Sequence, residues 1–500
     1  MEIATVCTLA LALLALILLA ILIKIYSSFN YFQKRNIPYE KAKSVFGSGS
    51  GSKSLTMLLW DMYKKSGHHK LYGYFVMWRP SVLVKDLDLL KCILVKDFSV
   101  FTDHGMYYDE KADPLSGHLF ALEGERWRKL RAKMSPAFTS GRMKLMFHTI
   151  TRFGNKLVSY IAEKPENESI ECYHLVAKYT LSNIASTAFG IESDVFAEDS
   201  LFMKMALRFN LPNFEQFLRS FLTFNFKGIV KYIPFRITPK EVSKFFLQLF
   251  RDAVKYREKN NIVRNDFLQM LINLKNNGSI EDATAVDESF TLTMDQLSAQ
   301  GFVFVLGGFE TTALAQTWAL YELALNPDIQ QRLQDEVDSL DQWSYENILG
   351  LEYLDMVLKE TLRKYPTVPF IIRRCDENYK VPGSDVIIEK GSDISVSVYG
   401  LHRDPELFPE PEKFDPERFG PNPSHEIKPF SYLPFGEGPR FCIGMRFAKV
   451  QAKVGIAMLM KHYTVEPTEK TAIPMVLHPL TVQPTAKDGV WLKFTRRNKL

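Results

Sequence analysis

Cysteine is scarce in this 500-residue chain, and its spacing offers no pairs. The five are Cys7, Cys92, Cys172, Cys375 and Cys442, an odd number with no C-x-x-C among them. That argues against a disulfide scaffold or a zinc site and suits a reducing compartment. An excess of one charge is also lacking. Lys and Arg number 62 against 57 Asp and Glu, a net charge of +5. So small a surplus argues against nucleic acid as the main partner. No dinucleotide fingerprint and no flavin segment occur, so any electrons the protein uses must come from outside. Internal repeats are absent, and no convincing domain boundary divides the chain. Proline is thin near the start, where only Pro38 precedes the run Gly47 to Ser52. That run reads as a flexible linker. Asn167-Glu168-Ser169 and Asn277-Gly278-Ser279 match glycosylation acceptors, which a cytosolic domain would leave unused.

Apolar sequence, by contrast, is plentiful. Hydrophobic residues make up 46% of the chain, enough for a large core, and 37 phenylalanines exceed what a core alone needs. The surplus suits an apolar pocket. Ile3 through Ile23 is uncharged and almost wholly apolar. As a helix it spans roughly 31 Å, close to a bilayer's hydrocarbon thickness. Glu2 precedes the run, and Lys24, Lys34, Arg35, Lys41 and Lys43 follow it. This is the pattern of an uncleaved signal-anchor with the downstream chain in the cytosol. The expected division is 1–24 anchor, 25–54 basic and Gly/Ser-rich linker, and 55–500 one large domain.

Residues 72–84 predict two short strands around a turn. The middle of the chain reads as helix-rich, with a polar, acidic surface loop over 276–289. Thr293 to Gln296 forms a capping box, and an apolar run follows to Leu325 before Asn326-Pro327 stops it. A helix of about 30 residues is far above the usual ~11–12 and should cross the core. Past Ile371 the pattern turns to short strands and Pro-rich loops.

One cysteine has a distinctive setting. Pro434-Phe435-Gly436-Glu437-Gly438-Pro439-Arg440-Phe441-Cys442-Ile443-Gly444 places a thiol in a Gly/Pro turn with a cation two residues before it. Glycines let backbone approach a large flat ligand. A helix N-terminus after the cysteine favours thiolate over thiol. A nearby arginine pairs with carboxylates. Thiolate, bare backbone and cation together suit haem iron and its propionates. Inside the long helix lies Gly307-Gly308-Phe309-Glu310-Thr311-Thr312. Adjacent glycines in mid-helix cost roughly 1 kcal/mol each relative to alanine, so a close approach or a local opening is expected there. An acid beside a hydroxyl can feed and relay protons. The plainer alternative is a threonine bonded back to a helical carbonyl.

With these residues in view, the chain resembles the cytochrome P-450 family of haem-thiolate monooxygenases, over nearly its whole length after the anchor. The run from Pro434 to Phe447 is similar to the membrane-bound insect group that metabolises xenobiotics and insecticides. The resemblance implies a mainly α fold with small β regions and an N-terminal transmembrane anchor helix. It implies haem b with Cys442 as the axial ligand of the iron and Phe435, Gly436 and Gly444 in the surrounding loop. Trp127, Arg131, Arg373 and Arg440 become haem-binding candidates, with Arg374 able to replace Arg373. Glu310 and Thr311 map onto the oxygen-activating acid–alcohol pair. Glu360 and Arg363 pair with Arg418 as a buried structural triad. His104 stands where relatives usually carry an arginine, so a weaker, pH-dependent partner is expected at that point.

Substrate contacts implied by the resemblance begin with Phe101, Met106, Tyr107, Leu119 and Phe120. They continue through Phe209, Phe214, Phe302, Phe304 and Val305 to Val368, Phe370, Ile371, Leu480 and Val482. Together they point to a lipophilic, poorly charged substrate, although aromatics at such positions equally suit a core. The implied partner is a membrane NADPH-cytochrome P-450 reductase, so NADPH acts only indirectly. Cytochrome b5 is a possible second donor, and Lys129, Arg446 and Lys449 are candidates for the docking face. The location implied is the endoplasmic reticulum membrane with the catalytic domain facing the cytosol. Two rival readings remain open. One is a haem-thiolate isomerase or dehydratase, which tends to lose the acid–alcohol pair. The other is a haem-binding sensor or carrier without turnover.

Overall fold

A computed structural model of the chain describes residues 2–44, 46–49, 53–192, 194–197, 199–210, 218–219, 222–223, 230, 232, 234–278, 291–422 and 426–497. They belong to two compact units. The first joins Met1–Asp103 to Phe370–Leu401, and the second joins His104–Pro369 to His402–Leu500.

The first unit begins with a helix over Glu2–Ser28. Its described leucines, including Leu9, Leu11, Leu13 and Leu16, lie exposed. Among the described residues, no helix is long and apolar enough to cross a membrane. The expected hairpin is present. Leu71–Val76 pairs antiparallel with Arg79–Val84 across a turn in which Met77 takes a positive φ. Arg79–Val84 then pairs in parallel with Asp393–Ser397, and that strand pairs antiparallel with Phe370–Arg374. Both faces are buried, with Tyr74 and Leu83 on one and Phe75, Ile394 and Val396 on the other. Gly73 lacks a side chain for a local reason: a Cβ there would stand 2.7 Å from the ring of Phe32.

The stretch read as a flexible linker differs from that expectation. Gly47 bridges to Val76, and the buried Ser48 hydroxyl accepts from the Phe75 N–H at 2.9 Å. Phe32 and Ile37, earlier in the 25–54 segment, are buried as well. Small residues gave a signal of flexibility, but here they let one backbone lie flat on another. A Cβ on Gly47 would collide with the Phe75 and Met77 backbone. Gly51 and its neighbours Ser50 and Ser52 lie outside the described residues.

The second unit is helical, with one small sheet of Ser169–Glu171, Trp491–Arg496 and Tyr463–Pro467, the second of these in the middle. Its axis is the long helix, Met294–Leu325, of 32 residues. The capping box forms as read: the Thr293 hydroxyl accepts from the Gln296 N–H at 3.2 Å, and the Gln296 side-chain Oε1 accepts from the Thr293 N–H at 3.0 Å. Asn326 ends the helix, and Pro327 opens the next. This central helix packs against the helix Cys172–Phe189 and against the C-terminal helix Met445–His462. Leu297, Phe302, Leu314, Trp318 and Leu323 are buried along it. Each such side chain contributes roughly 1.5–3 kcal/mol of transfer free energy. The helix Phe267–Asn277, capped by Gly278, reaches into the start of the loop expected over 276–289. Residues 279–290 lie outside the described ones.

Candidate functional site

The cysteine loop is shaped by its glycines and closed by one backbone bond. Gly436 and Gly438 take φ of 71° and 75°, a region that L side chains rarely adopt. The Cys442 N–H donates to the Phe435 carbonyl at 2.9 Å, folding the loop back on itself. Gly444 then caps the C-terminal helix, which starts at Met445. A helix N-terminus therefore follows the thiol, as the sequence predicts.

Cys442 is exposed at its surface, yet protein surrounds it closely enough that desolvation pushes its thiol above the ordinary value. The Gly444 N–H and the Arg131 guanidinium act in the opposite direction and favour the thiolate, but burial outweighs them. The chain alone thus does not hold this cysteine ionised. A coordinated metal ion would, because a ligating thiol loses its proton outright.

Two side chains of one helix meet the same loop. The helix Gly124–Met134 carries Trp127 and Arg131 one turn apart. The Arg440 guanidinium stacks on the Trp127 ring at 3.8 Å and donates to the Leu122 carbonyl at 2.9 Å. Arg131 donates to the Phe441 carbonyl at 2.9 Å, with its guanidinium over the Phe441 ring at 4.9 Å. Arg373 belongs to the first unit, where it is buried and donates to the carbonyl of Ile372. The His104 imidazole bonds the Phe120 carbonyl at 2.8 Å and packs on the Phe120 ring.

The central helix stays α-helical through its glycine pair, and the two glycines do different things. A Cβ on Gly308 would stand 2.8 Å from Ile184, so this glycine allows the Cys172–Phe189 helix to approach closely. A Cβ on Gly307 would meet nothing within 4 Å. Around Gly307 the helix opens: Val303, Phe304, Leu306, Glu310 and Thr311 are all partly accessible, while 297–302 and 312–324 are buried. The Thr311 hydroxyl donates to the Gly307 carbonyl at 2.8 Å. This is the back-bond of the plainer reading, and it fixes the direction of the proton. Thr311 Oγ1 keeps its own hydrogen along the helix and offers lone pairs to any donor on the open face.

Beneath the cysteine loop lies a closed ionic lattice. Glu360 and Arg363, on the helix Glu352–Lys364, are fully buried and joined by two bonds of 2.7 and 2.8 Å. Glu360 also accepts from the Asp415 N–H at 2.9 Å, and Arg418 Nε stands 3.4 Å from Glu360 Oε1 as a charge contact without hydrogen-bond alignment. Arg363 donates onward to the carbonyls of His402 and Lys413, and Arg418 to that of Glu410. Every link is to a neighbouring loop, so the triad expected from sequence is assembled as a brace.

His402 was not legible in the sequence. Its Nδ1 bonds the Arg363 carbonyl at 3.2 Å, and its Nε2 accepts from the Leu433 N–H at 2.9 Å, immediately before the cysteine loop. This assigns a neutral ring with its proton on Nδ1. Burial and the Arg363 charge push its pKa down to about 3. Tyr432 stacks on it at 5.2 Å and donates to the Lys359 carbonyl. No local pattern announces such a residue, since its partners lie 31 and 39 positions away.

The candidate substrate residues do not form a single group. Phe101, Phe370 and Ile371 belong to the first unit, where Phe101 is fully buried against Tyr379. In the second unit Tyr107, Leu119, Phe302 and Val305 are buried. Met106, Phe209 and Phe304 are partly open, with Phe209 edge-on to Phe302 and Phe304 stacked on Phe138. Phe120, Val368, Leu480 and Val482 are exposed. Phe214 lies outside the described residues. Lys129 and Arg446 are exposed and Lys449 is partly so.

The donor set fits a large flat iron-bearing ligand: an accessible soft sulfur, glycine backbone beside it and guanidinium groups near the same loop. Comparison with known proteins agrees. The family model described as cytochrome P450 matches residues 38–490. A probable cytochrome P450 6a14 of Drosophila melanogaster is 36% identical, with 94% of this chain and 96% of the relative covered. Cytochrome P450 6A1 of Musca domestica is 39% identical over 89% of this chain and 90% of its own. Cytochrome P450 6k1 of Blattella germanica is 36% identical over 97% of each.

Proposed function

The chain belongs to the cytochrome P450 family and is a haem-thiolate monooxygenase, and from that premise we propose that it oxidises a lipophilic small molecule at the cytosolic face of the endoplasmic reticulum membrane. The observation that carries the reading is an exposed Cys442 in the loop that leads into Met445–His462, while that helix packs against the central helix with its open patch at Gly307 and Thr311.

In this proposal Cys442 Sγ would ligate the iron, and Trp127, Arg131 and Arg440 would hold the carboxylate groups of haem b. Phe435, Gly436 and Gly444 shape the loop on the sulfur side. The bound haem supplies the oxygen chemistry. Thr311 Oγ1 accepts a hydrogen bond on the open face of the central helix, and Glu310 holds a proton for delivery there through water. Glu360, Arg363 and Arg418 fix the loop and touch nothing that reacts.

The partner proposed is an NADPH-cytochrome P-450 reductase, with cytochrome b5 as a further donor. The exposed Lys129 and Arg446 suit an acidic docking face. The exposed leucines of Glu2–Ser28 and the basic residues after them support an anchored chain. An insect xenobiotic or insecticide, or a hormone, suits the apolar lining. Turnover in a reconstituted assay tests the relay. Thr311→Ala should consume NADPH at a comparable rate but yield less product and more hydrogen peroxide, and Thr311→Ser should stay nearer wild type. Equal coupling in Thr311→Ala and wild type would remove Thr311 from the mechanism.

A further inference from the structure

We infer that the junction of three helices in the second unit is a buried water-binding site that keys the central helix to the helix following Cys442. Each helix brings a pair of positions one turn apart. Cys172–Phe189 brings Tyr179 and Asn183, the central helix brings Thr312 and Gln316, and Met445–His462 brings Gln451 and Gly455. Tyr179, Asn183, Gln316 and Gln451 are completely buried, and Thr312 nearly so.

The pairs meet around Tyr179. Its hydroxyl donates to the Gln451 carbonyl at 3.0 Å, and the Asn183 amide approaches the same hydroxyl. A Cβ on Gly455 would collide with Gln316 Oε1 and stand 2.8 Å from the Tyr179 ring. Glycine is thus the residue that lets Gln316 reach into the junction.

Six side-chain atoms here are buried without a hydrogen-bond partner: both ends of the Asn183 amide, both ends of the Gln451 amide, Thr312 Oγ1 and Gln316 Oε1. The set mixes N–H donors with carbonyl acceptors. Water serves both, whereas a cation would serve the oxygens and repel the amide hydrogens. Buried waters make about three hydrogen bonds each, so six atoms call for about two.

The position gives the site its consequence, which rests on the monooxygenase reading. Thr312 follows Thr311, and Gln451 lies on the helix that starts just after Cys442. Water held at this junction sets how the open face of the central helix stands against the cysteine loop. Asn183, Gln316 and Gln451 are positioning residues and touch no reacting atom.

A crystal structure of the full-length protein, at a resolution that places water, tests the site. The expected result is about two ordered waters bonded to Asn183, Thr312, Gln316 and Gln451. Amides paired directly with one another, or one density with oxygen neighbours only, would overturn it. The Gln451→Met variant tests the consequence. It should lose the water and lower product formed per NADPH several-fold, with a smaller change in Tm than Glu360→Ala. Loss of the water with unchanged coupling would overturn the keying role. A wild-type protein that consumes no NADPH with reductase would sink the monooxygenase reading and leave the crystallographic result standing.

Discussion

The ground beneath the cysteine loop and the middle of the central helix solve opposite problems. The loop rests on charge: Glu360, Arg363 and Arg418 are buried, and their bonds reach Asp415, His402, Lys413 and Glu410. The helix middle is spare by comparison, with a bare glycine, a hydroxyl turned along the axis and a carboxylate at a partly open face. One region is over-determined by its bonds, and the other is left under-filled. Buried ion networks contribute little net stability against an apolar replacement, but removing one member is costly. They therefore serve as geometry more than as glue.

The largest break in the comparison falls on the sulfur itself. Cys442→Ala should abolish the far-red-shifted Soret band of the reduced carbon-monoxide complex, while Cys92→Ala and Cys172→Ala keep it. A normal band in Cys442→Ala would mean that another residue ligates the iron.

Next comes the brace. Glu360→Ala leaves Arg363 buried without its carboxylate, at a cost of roughly 3–5 kcal/mol. Low soluble yield and low haem content are expected. Full haem occupancy with an unchanged Tm would show that the lattice is dispensable.

The two glycines separate the regions on a smaller scale. Gly308→Ala pushes a methyl group toward Ile184 and should cost on the order of 1–3 kcal/mol through overpacking. Gly307→Ala meets open space and should instead gain up to about 1 kcal/mol of helix stability. Thermal unfolding of both variants measures the contrast, and equal shifts would deny that the helix has one closed and one open face.

The brace also responds to pH through His402. Its pKa is pushed down to about 3 in the folded chain, from an ordinary 6.5. The unfolded state therefore binds the proton more readily. The associated stability is fully present above pH 6.5 and is lost as pH falls toward 3, by up to about 1.4 kcal/mol per unit. His118, pushed down to about 4 by burial, acts with the same sign. His402→Gln should flatten part of the acid limb of a stability-against-pH curve. An unaltered limb would mean that the imidazole is not held neutral.

Strong local signals in the sequence became structure with little change. The Thr293–Gln296 capping box, the stop at Asn326-Pro327, the hairpin near 72–84 and the helix after Cys442 depend on neighbours within a turn or two, and all are present. The triad was legible through resemblance, because Glu360 and Arg363 share a helix turn while Arg418 lies 55 positions or more away. The reading of Gly47–Ser52 as a linker went astray at its start, because composition reports freedom and not what lies alongside. Gly47 and Ser48 found the Phe75 backbone as a partner.

The sequence by itself determined the local patterns: a lone thiol in a glycine loop, an acid beside a hydroxyl, and an apolar start. Those are covalent facts and short-range propensities. Only the tertiary structure decided which glycine of a pair is closed by Ile184 and which is open. It also turned the Thr311 proton toward Gly307, made His402 the link between brace and loop, and left six buried polar atoms on three helices without a hydrogen-bond partner. Each of these depends on distance through space between residues far apart in the chain, and burial then sets the energy of every polar group so placed.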